Sequence, residues 1–164
     1  MKAYIGLGSN LGDREAHVRQ ALEHLARTPD TTVVRASSLY DTEPMGVADQ
    51  PNFLNAVALL ETQLTPRQLL WNLMLIEKRL GRVRTNRWGP RTLDLDLLLY
   101  EDLVSDDPEL QLPHPEMTKR SFVLVPLVEL DPMLVHPVAG ETMLGLLQRL
   151  GASPLVKHGS RLWN

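Results

Sequence analysis

The sequence contains no cysteine. That excludes a disulfide framework and any cysteine-based metal centre. It also lacks any apolar run approaching the roughly 18 residues of a membrane-crossing helix. Its opening, MKAYIGLGSN, carries one charge and a very short apolar stretch, and reads as a first strand instead of a secretion signal. The expectation is a cytoplasmic chain with no membrane partner. Aromatics are scarce: two Phe, three Tyr and three Trp. A basic excess is missing too, since the net charge is -3. A nucleic-acid binder would carry the opposite balance, so no nucleic-acid partner is expected. None of the five histidines has the helical i, i+4 spacing of a histidine zinc site.

What is present suits one globular domain over residues 1–164, read here as a monomer. The chain is 43% hydrophobic, enough to bury a sizeable core. Residues 3–7 read as a strand that ends in the Gly8-Ser9-Asn10 turn. Asp13 fits a helix N-cap, and Val18, Ala21, Leu22 and Leu25 follow at helical spacing to about Arg27. Residues 31–40 and 53–62 read as strands separated by a loop over 41–51. Thr65-Pro66-x-Gln68 announces a second helix through a cap, an N1 proline and a capping box. Its apolar stripe is Leu69, Leu73, Ile76 and Leu80, and Gly81 stops it. Residues 93–100 read as a fourth strand. The order β-α-β-β-α-β predicts an α/β (α+β) ferredoxin-like core. The proline-rich remainder, 101–164, predicts C-terminal helical and loop additions, with helices at 121–130 and 142–150. Both helices of the core cover one sheet face, and the other is left for ligands, partners or the C-terminal third. The scattered methionines read as core residues.

The densest chemistry lies at 82–96. From Lys78 to Arg91 there are six Lys/Arg and no Asp or Glu. Asp94 and Asp96 follow at i, i+2. Period-two alternation sends Leu93, Leu95, Leu97 and Leu99 to the helix-covered core, and sets both carboxylates side by side on the opposite face. Adjacent like charges oppose each other's ionisation, and a bound cation removes that cost. A lone D-x-D is an ordinary solvated strand face. Beside Arg82, Arg84, Arg87 and Arg91 it reads as one half of a polyphosphate site. Arginine forks match phosphate oxygens, and hard carboxylate oxygens suit Mg2+. Trp88 is an odd choice for a purely solvated loop. Gly81 at one end and Gly89-Pro90 near the other would let that loop act as a lid.

Other positions keep two readings. Gly6-x-Gly8-x-x-x-Gly12 fails the dinucleotide fingerprint, because position 11 is leucine. His114, between two prolines, is either structural or a phosphate contact. Phe53 and Phe122 are either core or a clamp for a flat heterocycle, whose polar edge Thr42 and Asn55 would satisfy.

The run Arg87-Trp-Gly-Pro-Arg-Thr-Leu-Asp-Leu-Asp-Leu-Leu98 resembles the signature of the 6-hydroxymethyl-7,8-dihydropterin pyrophosphokinase family of folate biosynthesis. The resemblance extends through Gly8-Ser-Asn10, Ser37-Ser-x-Tyr-x-Thr42, Asn55, Glu77, Gly81-Arg-Val-Arg84, and Pro113-His114 with Arg120 and Phe122. It implies a ferredoxin-like fold and transfer of pyrophosphate from ATP to the pterin hydroxymethyl group, with release of AMP. It implies two Mg2+ ions on Asp94 and Asp96. Arg82, Arg91, His114 and Arg120 would contact phosphate, and Glu77 belongs with the nucleotide side. Arg84 and Trp88 would lie on a mobile loop, with Trp88 on the substrate side. Phe53 and Phe122 would sandwich the pterin, with Thr42, Pro44, Met45 and Asn55 at its hydrogen-bonding edge. Leu98, Leu110 and Gln111 would meet the adenosine half of ATP.

Residue types alone do not separate this reaction from another Mg2+-dependent small-molecule kinase or a nucleotide hydrolase. A non-catalytic ferredoxin-like binding module is a further alternative. It predicts a basic sheet face with central aromatics, where this sheet carries paired acids. No separate general base stands out, and Asp96 is the one candidate.

Overall fold

A computed structural model describes residues 1–42, 52–81, 93–151 and 155–163. The first strand, β1 (Lys2–Ser9), leads through the Asp13 cap into α1 (Arg14–Ala26). Then come β2 (Thr31–Thr42), β3 (Phe53–Thr62), α2 (Pro66–Arg79) and β4 (Asp94–Tyr100). The chain goes on through a small hairpin, β5 (Ser105–Asp107) and β6 (Leu110–Leu112), to α3 (Ser121–Leu130), α4 (Met143–Leu150) and β7 (Val156–Trp163). The main sheet has the order β4-β1-β3-β2-β7, and every pairing in it is antiparallel. Its first four strands give the expected ferredoxin-like order.

Local chemistry accounts for most boundaries. The Asp13 carboxylate accepts the Ala16 amide at 3.1 Å and so caps α1. The Thr65 hydroxyl accepts the Gln68 amide, and the Gln68 side chain accepts the Thr65 amide, so the capping box forms as read. Gly81 follows the end of α2 at φ 75°, a conformation cheap only for glycine.

The sheet separates two cores. Under α1 and α2 lie Ile5, Leu7, Leu22, Leu25, Leu54, Leu69, Leu73 and Leu95. Under α3 and α4 lie Tyr4, Val57, Leu59, Leu98, Leu99 and Leu124. The second face is therefore half covered by the C-terminal third.

Five expectations need correction. Gly8 and Ser9, read as a turn, belong to β1 and pair with Asn55 and Leu54. The fourth strand does not alternate to its end. Ile5 pairs with Leu97 and Tyr4 with Leu99, which leaves Leu98 as an inserted residue. Beyond this bulge the faces exchange, so Leu99 enters the second core and Tyr100 the first. The second strand is longer than read, because Asp41 and Thr42 pair with Leu54 and Phe53 instead of starting the loop. The C-terminal additions include β5, β6 and an edge strand, β7. Finally, Met117 and Met143 are core residues, but Met1, Met74 and Met133 are exposed.

Candidate active site on the second sheet face

Register places the predicted polar residues in rows across the strands. Gly8 of β1 faces Asp94 on one side and Asn55 on the other, and Asn55 faces Tyr40 of β2. Directly opposed residues in antiparallel strands share a face. One row therefore reads Asp94, Gly8, Asn55, Tyr40. The next row holds Asp96, Gly6 and Val57. Each aspartate thus has a glycine across from it, and the side chains of Asn55 and Phe53 pack against Gly8 while that of Leu98 packs against Gly6. Strand spacing puts Asp94 and Asn55 about 10 Å apart. The acids and the amide therefore bracket the site.

Beyond the acids, the segment after β6 brings in cations. The His114 amide donates to the Leu98 carbonyl at 2.9 Å, so the bulge is what docks this segment. His114 Nε2 then stands 4.0 Å from Asp96 Oδ1, and Arg120 Nη1 stands 3.9 Å from Asp96 Oδ2. These gaps exceed hydrogen-bond length, so both groups converge on the Asp96 carboxylate without a direct hydrogen bond to it. Burial, followed by the nearby Arg120 charge, holds the His114 pKa below its ordinary value. Its Nδ1 accepts the Glu116 amide at 3.2 Å, which leaves the proton of the neutral ring on Nε2, the atom facing Asp96. The Arg120 guanidinium lies 5.5 Å from the centre of the Phe122 ring, within cation–π range.

A cavity of about 220 Å3 opens beside this cluster. Its polar end is Asp96, His114 and Gln111, and Leu70, Leu95 and Leu110 form an apolar wall. The β5–β6 hairpin builds much of that wall. Arg67 of α2 holds the hairpin through Asp107. Gln111 and Leu110 thus both line the cavity next to Asp96. Leu98 does not join them: its side chain is buried in the second core, and its carbonyl serves His114.

At the other end of the face, Asn55 Nδ2 donates to Thr42 Oγ1 at 2.6 Å, and both are buried. Phe53 pairs across from Thr42 and is half-buried. Phe122 sits in the first turn of α3, also half-buried. Glu77, read with the nucleotide side, is buried on α2, and its carboxylate accepts the Leu95 amide at 2.8 Å. Because β4 is an edge strand, that amide has no neighbouring strand to bond. Arg82, Arg84, Arg87, Trp88, Arg91, Pro44 and Met45 lie outside the described residues.

A profile of the 7,8-dihydro-6-hydroxymethylpterin-pyrophosphokinases matches residues 4–132, a span that contains both ends of this face. The chain belongs to this family.

A 2-amino-4-hydroxy-6-hydroxymethyldihydropteridine pyrophosphokinase from Methylorubrum extorquens is 49% identical over 152 residues, covering 93% of this chain and 95% of that one. The protein of the same name from Pseudomonas aeruginosa is 48% identical over 136 residues, covering 83% and 84%. The folic acid synthesis protein fol1 of Schizosaccharomyces pombe is 43% identical over 158 residues, which are 96% of this chain but 22% of that longer protein. The fold resembles that of Plasmodium falciparum HPPK-DHPS, with a TM-score of 0.73 at 16% identity. That match covers 90% of this chain and spans less than half, 43%, of the solved one. Membership makes the chain a pyrophosphokinase, a transferase of folate biosynthesis acting between ATP and a hydroxymethyldihydropterin.

Two further features of this pyrophosphokinase emerge from strand register and helix docking. Gly6 and Gly8, which fail the dinucleotide fingerprint, stand across from Asp96 and Asp94 on β1. Their i, i+2 spacing on a strand was the available signal. The carboxylate of Glu129 on α3 also reaches β2, and nothing local in the sequence marks it.

Proposed function

We propose that this chain transfers pyrophosphate from ATP to the hydroxymethyl group of 6-hydroxymethyl-7,8-dihydropterin on the Asp94–Asn55 face. The observation that carries this reading is the row of acid, glycine and amide across three strands. It supports the reading by putting the acids expected at the phosphate end and the amide expected at the heterocycle end on one surface.

Asp94 and Asp96 would hold Mg2+, with two ions expected. The fit rests on the donor set. Both are half-buried carboxylates with glycines opposite. Among the described residues no third His, Asp or Glu completes a protein cage. That composition suits an ion that takes its remaining ligands from substrate phosphate and water. When bound, Mg2+ would neutralise triphosphate charge and polarise the transferred group.

The chain's own residues align and neutralise, which is most of what such a transfer asks of a protein. His114 Nε2–H and Arg120 would donate to phosphate oxygens, joined by Arg82, Arg84 and Arg91 from the basic stretch. The cavity beside Asp96 would take the nucleoside against Leu110 and Gln111. Thr42, Asn55, Phe53 and Phe122 would hold the pterin, with Pro44, Met45 and Trp88 on the same side. The pterin hydroxyl oxygen would attack the β-phosphorus and give up its proton, with Asp96 the one candidate acceptor, while the bond from the β-phosphorus to the α,β-bridging oxygen breaks and AMP leaves with that oxygen. The acidic net charge of -3 supports a small anionic ligand over nucleic acid or an anionic membrane. No helix among the described residues is long and apolar enough to cross a membrane. We read the chain as a single-domain cytoplasmic monomer.

The test is a product assay with ATP, Mg2+ and the reduced hydroxymethylpterin. Pterin-dependent AMP is the expected product. ADP would instead indicate a γ-phosphoryl kinase. Phosphate release without pterin would indicate a hydrolase, and no nucleotide consumption would point to a binding module.

A further inference from the structure

We propose that Glu129 is a positioning residue for the pterin end of the site. This rests on the reading of Thr42, Asn55, Phe53 and Phe122 as that end.

Strand β2 does not run evenly. Its register with β3 moves from Ala36↔Ala58 to Tyr40↔Asn55, four steps against three. The extra residue breaks the ladder at Ser37 and Ser38. Ser37 Oγ repairs the β3 side by accepting the Val57 amide at 2.9 Å. The Ser38 amide turns to the Glu129 carboxylate, at 3.0 and 3.2 Å from its two oxygens. The Ser38 hydroxyl donates to the same group at 3.0 Å, and the Tyr40 hydroxyl at 2.7 Å. Among the described residues, one carboxylate thus receives three donor groups from the bulge and from the residue just beyond it.

Both ends of this tie lead to the pterin side. Tyr40 stands across from Asn55, and Thr42 follows two residues later on the same face. Glu129 lies seven residues after Phe122, two turns along α3, so the two side chains share one face of the helix. Further contacts hold the same end of α3. Arg35 donates to the Leu130 carbonyl at 3.0 Å, and the Tyr4 hydroxyl to Asp131 at 3.2 Å. Those bonds fix the height of the helix over the sheet. The Glu129 bonds are different: they reach the bulge that sets where Thr42 and Asn55 lie. Glu129 therefore sets the distance and angle between the amide edge on the sheet and the ring on the helix. Charge-assisted bonds of this kind are among the stronger ones available to a folded chain.

The test uses the full chain with Glu129→Gln, which keeps the shape of the side chain but removes its charge and one acceptor. Tyr40→Phe, which removes a single donor, covers the case in which the first variant folds poorly. Pterin Kd is measured in the presence of a non-hydrolysable ATP analogue, together with the Kd of that analogue and the Tm. Pterin binding is expected to weaken about tenfold in Glu129→Gln and about threefold in Tyr40→Phe, on the order of one lost charge-assisted bond or less. Nucleotide affinity should stay within about twofold, because the adenosine cavity lies at the far end of the face. A lowered Tm with unchanged pterin Kd would make the contact purely structural and overturn the proposal. So would an equal loss of both affinities. Asn55→Ala separates the two layers of the argument. If it weakens pterin binding and Glu129→Gln does not, only the role of Glu129 falls. If Asn55→Ala has no effect on pterin, the assignment of the pterin end falls and takes the proposal with it.

Discussion

The two faces of the same sheet are built to different ends. On the face under α1 and α2, Ile5, Leu7, Leu54 and Leu95 are sealed from water. Each strand contributes aliphatic volume to one continuous core. On the other face, the same strands carry Tyr4, Leu59 and Leu99 under α3 and α4 at one end. At the other end they carry Asp94, Asp96, Gly6, Gly8 and Asn55. Moving along β1 from Tyr4 to Gly8, the side chains on this face shrink from a packed aromatic to a hydrogen atom. The first face needs only burial, and each fully covered leucine contributes roughly 1.5–3 kcal/mol. At this end the second face gives up aliphatic volume: Asn55 and Thr42 are buried polar groups, and Asp94 and Asp96 are half-buried carboxylates.

The largest expected effect comes from removing a carboxylate. Asp94→Ala or Asp96→Ala should lower AMP production on the order of 1000-fold, with Tm close to wild type. A variant that lost stability but kept turnover would mean that this end of the face is structural after all. The complementary change is Leu73→Ala on the sealed face. It should cost roughly 2–5 kcal/mol of stability by denaturant titration, with kcat per folded molecule unchanged. Together these two variants ask whether chemistry and stability are divided between the faces.

A finer comparison lies within β1. A Cβ built at Gly8 would stand 2.7 Å from Asn55 Oδ1, too close without displacing the amide, whereas at Gly6 the nearest atom is Leu98 at 3.6 Å, ordinary contact. Gly8→Ala should therefore raise the KM for pterin about tenfold or more, since small misplacements near a site are costly. Gly6→Ala should change it by no more than about twofold. Equal effects from both would show that Asn55 is not held by the space Gly8 leaves.

The sealed face was legible because its signals are local. The Asp13 cap, the Thr65–Gln68 box and the 3.6-residue stripes act within a few residues of themselves, and the structure keeps both helices almost to the residue. The acid pair was legible for the same reason, as two residues on one side of one strand. The bulge at Leu98 was not. It appears only when β4 is laid against β1 and then receives the His114 amide. The edge strand β7 was hidden as well, because β2 supplies its pairing partner from more than a hundred residues away.

The sequence by itself determined the order of the core elements from β1 to β4, the sealed core, the acids on β4 and the family. Each of these depends on spacing along the chain. Tertiary structure alone decided that Asp94, Gly8 and Asn55 form one row, that His114 and Arg120 converge on Asp96, and that Glu129 meets the bulge in β2. Those contacts join segments far apart in sequence. Strand register and helix docking set them, and no local propensity encodes either.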